Sequence, residues 1–209
     1  MADRIVTSIQ MVHRGNIRRI TINRPPLNLL DVPTLLALAA ALATTAQHQQ
    51  TRLVALMGAG DVAFSAGVDP EQLPERREAL RSALMEVVRA FYALTARHIS
   101  TVALLQGQAL GTGCELALLC DTLIAREDTI LGLPEITSDS VPPLAPALLP
   151  RLIGPRRALY LLLTGERISA RTAYSMGLVH QVLPTATFAQ EAEELLVMLA
   201  ACGGQSQGP

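Results

Sequence analysis

The stretch ALGTGCELALLCDT, Ala109 to Thr122, sets two glycines and a threonine before an apolar run and then places one carboxylate, Glu115, in its first turn. The pattern reads as a loop over Gly107–Gly113 leading into a helix over Cys114–Leu119. Thr101–Gln106 precedes it as an apolar strand, and Thr122–Arg126 follows it as another. The same order occurs upstream. Leu53–Met57 is an all-apolar strand closed by GAGD, FSAGVDPEQLP is a glycine-containing loop, and a long helix runs to about Arg97 with Leu80, Leu84, Val87, Phe91 and Leu94 on one face. Short buried strands alternating with helices predict an α/β fold of parallel β-α-β units.

The flanks extend this reading. Ile5–Val12 and Ile17–Ile22 around the turn residues Arg14-Gly15-Asn16 predict a hairpin. RPPLNLLD then forms a stiff connection, and a helix spans Pro33 to about Gln47, with Pro33 in its first turn. After Glu135 the chain turns proline-rich, with helical patterns over Leu144–Leu152 and Arg156–Leu163. Ser169 caps a short helix, GLVHQVL is extended, and TFAQ forms a capping box from Thr187 for a helix to about Ala201. No repeat is visible in the sequence. A single domain over residues 1–201 is expected, with 202–209 as a disordered tail.

Half of the 209 residues are hydrophobic, enough for a core that hides about 70% of the unfolded chain's surface. A net charge of −1 gives no field favouring nucleic acid or an anionic membrane. All 17 basic residues are Arg, so Schiff-base chemistry on lysine is excluded. Cys114, Cys120 and Cys202 lack metal-ligand spacing, so no metal is expected, and reduced thiols fit a cytoplasmic location. No apolar run reaches the ~20 residues of a membrane span. His13, His48, His98 and His180 are scattered without a visible partner.

Two readings of the opening stretch compete. Glycines before a helix permit close backbone packing, and a glutamate in the first turn is favoured by the helix dipole. Alternatively, Gly111-Thr112-Gly113 leaves N–H groups aimed at a developing negative charge, with Glu115 beside it as acid or base. SAGVD, Ser65–Asp69, could supply a second donor, and GLPEI, Gly132–Ile136, a second carboxylate in Glu135. An oxyanion hole flanked by two carboxylates suits addition of a proton and water across a double bond next to a carbonyl.

FSAGVD, ALGTGCELALLCD and GLPEI, in this order and spacing, resemble the enoyl-CoA hydratase/isomerase (crotonase) superfamily. The resemblance extends from RRITINRPPLN through LLTGERISARTAYSMGLVHQVL. It implies a crotonase-like β-β-α superhelix with a shortened C-terminal helical region, assembled as a homotrimer or hexamer. It also implies an acyl-CoA thioester as substrate, with coenzyme A part of the substrate and no separate cofactor. By the resemblance, the N–H groups of Val68 and Thr112 bind the thioester oxygen, Glu115 activates water, and Glu135 exchanges the α-proton. Pro26, Leu27, Ala66, Gly67, Asp69, Pro70 and Gly111 are the implied substrate and coenzyme A contacts.

Some features depart from the pattern. Thr112 stands where the family usually has glycine, and its β-branched side chain restricts the backbone. The proline-rich segment after Glu135 is similar to that of the cyclohexa-1,5-diene-1-carbonyl-CoA hydratases, which implies a cyclic dienoyl-CoA beside open-chain 2-enoyl-CoA. An enoyl-CoA isomerase, which needs one base, and a non-catalytic partner subunit are the alternatives. Arg76, Arg77 and Arg81 read as a solvated face, or as contacts to coenzyme A phosphates. Cys114 reads as a packing residue.

Overall fold

The apolar runs at Leu53–Met57, Thr101–Leu105 and Leu123–Ala125 become inner strands, because two packed layers are available to cover them. The computed structural model describes residues 7–69, 76–138 and 142–202. Along the chain lie β1 (Ile9–Arg14), β2 (Ile17–Ile22), α1 (Val32–Ala46), β3 (Leu53–Gly58), β4 (Ala63–Ser65) and α2 (Arg77–Thr95). There follow β5 (Ser100–Leu105), β6 (Gln108–Leu110), α3 (Thr112–Leu118), β7 (Thr122–Arg126), β8 (Ile130–Gly132) and a 3₁₀ helix (Pro134–Ser138). The C-terminal part holds α4 (Ala145–Ile153), α5 (Pro155–Thr164), β9 (Ile168–Ser169), α6 (Ala170–Ser175), β10 (Gln181–Leu183) and α7 (Phe188–Cys202).

Six strands form one sheet in the order β1-β2-β3-β5-β7-β10. Only the β1–β2 hairpin is antiparallel; β2 through β10 are parallel neighbours. In register, Ile20, Leu56, Ala103 and Leu123 form one row across it. That row, with Val54 and Leu105, faces the main core with α1 and α2. The alternate residues Leu53, Ala55, Val102, Leu104 and Ile124 face a second core closed by Ala192, Leu196 and Ala200 of α7. Burial on both faces explains why these strands carry no polar alternation. Each fully buried leucine here contributes roughly 1.5–3 kcal/mol.

A second sheet, β4-β6-β8-β9, receives the chain after β3, β5 and β7. The sequence therefore spirals as β3-β4-α2, β5-β6-α3 and β7-β8 followed by the 3₁₀ helix and α4. This is the β-β-α superhelix expected from the resemblance. Its turns repeat in space although no self-similarity is visible in the sequence.

Several sequence-based expectations change. The segment read as a loop over 107–113 contains β6, and Phe64–Ser65 at the start of the first glycine loop belong to β4. Both strands are three residues long, too short for periodicity to register, and exist because each finds a parallel neighbour. The hairpin's first strand begins at Ile9 and reaches Arg14 rather than spanning 5–12; residues 1–6 lie outside the described part. Asp31 caps α1 by accepting from the Thr34 N–H at 2.8 Å. Ser169 caps α6 through the Thr172 N–H, as expected. The capping box expected from Thr187 is not formed among the described residues: the Thr187 N–H donates to the Pro184 carbonyl at 3.3 Å, and Gln190 Nε2 donates along the helix to Glu194 Oε1 at 3.0 Å. Helix α7 includes Cys202, while 203–209 lie outside the described residues. Among the described residues, no helix is long and apolar enough to cross a membrane.

Candidate active site

The two glycines of GTG serve two close approaches where β6 turns into α3. Gly111 has φ +53°, and a β-carbon there would stand 3.0 and 3.2 Å from the carboxylate oxygens of Glu135. Gly113 lies against β4, where a β-carbon would meet the Ser65 carbonyl oxygen at 2.3 Å. The first glycine therefore admits a carboxylate to the turn, and the second lets α3 press on the strand leading into the SAGVD loop. The glycines therefore serve the packing reading, and in packing they bring the Glu135 carboxylate and the Ser65 carbonyl against the turn.

The SAGVD loop is fixed from below by Asn28, a buried residue with φ +51°. Its Nδ2 donates to the carbonyls of Ala59 (2.9 Å) and Ala63 (2.7 Å), and its Oδ1 accepts from the Arg24 N–H at 3.0 Å. Ser65 Oγ donates to the Asn28 carbonyl at 2.8 Å and accepts from the Gly67 N–H at 3.2 Å. Leu30 pairs with the loop through Leu30 N–H to Gly67 carbonyl and Asp69 N–H to Leu30 carbonyl. Gly67 is thereby seated beside the Leu110 carbonyl and the Thr112 amide.

Val68 and Thr112 consequently line one cleft of about 410 Å³. Among the described residues, neither backbone N–H is taken by a carbonyl. Leu35 of α1, Leu80, Leu84 and Met85 of α2, and Pro142, Pro143 and Pro146 supply apolar walls. Arg77 and Arg81 also line it.

Glu115 lies one helical turn beyond Thr112 and has no solvent exposure. Its Oε1 accepts from the N–H groups of Leu144 (2.7 Å) and Ala145 (2.8 Å), while Oε2 has no partner. Burial pushes its pKa up to about 7; the two backbone donors oppose this, and the Glu135 charge adds to it. Glu135 is raised as well, by burial, and its Oε2 also lacks a partner. Two carboxyl groups, each with an unsatisfied buried oxygen, thus adjoin the turn that presents Thr112. Burial foremost, with both carboxylates, pushes the Cys114 thiol up to about 12, so it stays protonated as a packing group.

The remaining candidates take different places. Leu27 accepts from the Ala66 N–H at 2.9 Å, so Pro26-Leu27 buttress the loop without lining the cleft. Asp69 sits 4.0 Å from Arg24, which also pairs with Asp31 at 3.1 Å. Pro70 lies outside the described residues. The sequence reading missed Asn28, Ser65 and the Leu144–Ala145 amides; Asn28 within RPPLN was visible, but its hydrogen bonds to residues 59 and 63 were not. His180 is structural: its Nδ1 accepts from the Leu123 N–H at 3.0 Å, and its own N–H donates to the Leu123 carbonyl at 2.8 Å.

A model of the family described as Enoyl-CoA hydratase/isomerase matches residues 13–205. The Bacillus subtilis protein YngF, named for the enoyl-CoA hydratases/isomerases, is 34% identical over 97% of this chain and 78% of its own length. Crotonyl-CoA hydratase of Syntrophomonas wolfei is 35% identical over 78% of this chain and 64% of its own. The crystal structure of an enoyl-CoA hydratase from Bacillus anthracis superposes with a TM-score of 0.84 at 34% identity, covering 92% of this chain and 76% of that one.

Proposed function

This chain belongs to the enoyl-CoA hydratase/isomerase family, and from that premise we propose that it is a hydratase-type lyase that reversibly adds water to a 2-enoyl-CoA or cyclic dienoyl-CoA thioester. The observation that supports the reading is that Val68 and Thr112, whose backbone N–H groups no carbonyl takes among the described residues, line one cleft, while Glu115 and Glu135, next to the turn that holds Thr112, each keep a buried carboxyl oxygen without a partner. The thioester carbonyl accepts from both amides, which hold the negative charge that develops on its oxygen as water attacks the β-carbon. Glu115, anchored through Oε1, uses Oε2 to orient that water and take its proton. Glu135, against Gly111, delivers the proton that the α-carbon gains. Hydroxyl and hydrogen are added and none is lost, so no redox partner enters. Burial raises the pKa of both carboxyl groups, that of Glu115 to about 7, so that Glu115 exchanges a proton near neutral pH. An isomerase needs only a single base, and the second orphaned carboxylate oxygen favours the reaction with water.

Coenzyme A enters as part of the substrate. Exposed Leu159, Tyr160 and Leu163 of α5, with Leu152 and Tyr174 nearby in sequence, support a homotrimer or hexamer built through this face. Free thiols at Cys114, Cys120 and Cys202 suit a reducing cytoplasm. The test is loss of conjugated-enoyl absorbance with crotonyl-CoA and with cyclohexa-1,5-diene-1-carbonyl-CoA. Glu115→Gln and Glu135→Gln should each abolish turnover, and wild-type rates in either would remove that residue from the mechanism.

A further inference from the structure

Arg77 and Arg81 give the cleft a charged wall that water addition does not use. They stand one turn apart on α2, about 6 Å along its axis, and line the same cleft as Val68 and Thr112. Among the described residues, neither is in an ion pair or a side-chain hydrogen bond, whereas Arg19, Arg24, Arg89 and Arg126 all have carboxylate partners. Glu78, the acidic residue of the first turn, is adjacent to Arg77 and three residues before Arg81, on the Arg81 side of the helix, yet no ion pair or hydrogen bond joins Glu78 to either arginine among the described residues. Leu80, Leu84 and Met85 continue the wall beside the two arginines as apolar surface. A ligand matching this cleft has a carbonyl at one end, an apolar stretch, and an anion where two guanidinium forks can meet it.

We propose that the acyl group bears its own carboxylate: the substrate class is the coenzyme A monothioester of an unsaturated dicarboxylic acid, with the remote carboxylate held by Arg77 and Arg81. This rests on the acyl-CoA reading above. Both side chains are exposed, so solvent screens the interaction and its effect is at the modest end for a charge-assisted pair. A phosphate of coenzyme A offers the same arginines similar chemistry, and the experiment separates the two.

Binding of two saturated, unreactive thioesters, adipyl-CoA and hexanoyl-CoA, is measured by calorimetry on the full chain and on R77Q/R81Q and R77K/R81K. Expected is adipyl-CoA binding about tenfold tighter than hexanoyl-CoA in the wild type. The ratio should fall to within about twofold in the glutamine variant, survive in the lysine variant, and shrink with added salt. Equal wild-type affinities would overturn the proposal. So would a glutamine variant that weakens both thioesters alike, with the loss absent for 3′-dephospho-coenzyme A thioesters; that result would assign the arginines to a coenzyme phosphate. The unsaturated pair, hex-2-enoyl-CoA and its ω-carboxylated counterpart, tests the hydratase reading separately. Carboxylate preference in binding without turnover of either would leave the anion site and remove the hydratase. Turnover of both without preference would remove only the anion site, and binding of neither thioester would overturn both.

Discussion

Glu115 holds its carboxyl where no solvent reaches, and glutamine removes the charge while keeping the shape. In Glu115→Gln the amide oxygen can still accept from the Leu144 and Ala145 N–H groups, leaving the amide nitrogen where the unpartnered Oε2 now lies. Moving the carboxyl from 4.5 to about 7 corresponds to about 3 kcal/mol against the ionised form. Because the folded state holds this proton more tightly than the unfolded state, the favourable contribution is complete below pH 4.5 and is lost as pH rises to about 7. The variant has no such loss. Its stability relative to the wild type should therefore rise by about 2–3 kcal/mol between pH 5 and pH 8.5, and level off above pH 7. In a chain of this size that corresponds to roughly 4–12 °C in Tm. The chain has no Trp, so unfolding in urea is followed by circular dichroism, with both proteins at one concentration because subunit association contributes to stability. A stability difference that stays constant from pH 5 to pH 8.5, or narrows, would refute the assignment of an ionisable, desolvated carboxyl at this position. The expected pairing of a more stable protein with abolished hydration would mark Glu115 as a site where folding stability is lower because a reactive group is buried.

Asn28→Ala strands the Ala59 and Ala63 carbonyls and the Arg24 N–H and leaves alanine at φ +51°. Urea titration should give a loss of about 3–5 kcal/mol, and a loss below about 1 kcal/mol would show that the loop is fixed by other contacts. Gly111→Ala introduces a β-carbon 3.0 Å from the Glu135 carboxylate. The displaced acid should lower kcat by roughly a hundredfold with little change in KM, and an unchanged kcat would detach Glu135 from the α-proton step. Leu159→Asp combined with Leu163→Asp adds charge to the exposed α5 face. Sedimentation should then show smaller species than for the wild type, and an unchanged mass would place the subunit contacts elsewhere.

The inner strands, the amphipathic helices and the order of the three motifs were legible in the sequence. Apolar runs such as Leu53–Gly58 and the spacing of Leu80, Leu84, Val87, Phe91 and Leu94 encode burial locally, through side-chain chemistry and chain period. The residues of the candidate site were legible too, since Glu115, Glu135 and the GTG turn each sit in a short recognisable context. The second sheet was not, because three-residue strands such as β4 and β6 become strands only when a distant segment supplies the hydrogen bonds. The same limit applied to Asn28, whose role depends on carbonyls 31 and 35 positions away, and to Glu115, whose partners come from Leu144 and Ala145. Arg77 and Arg81 looked like a solvated helix face until α1, α2 and the proline segment enclosed a cleft beside them. Composition and periodicity thus determined which segments are buried and which groups can react. Only the tertiary structure decided which carboxyls lose their water, which amides stay free and which charges share a cavity, because desolvation and hydrogen-bond pairing are set by neighbours remote in sequence.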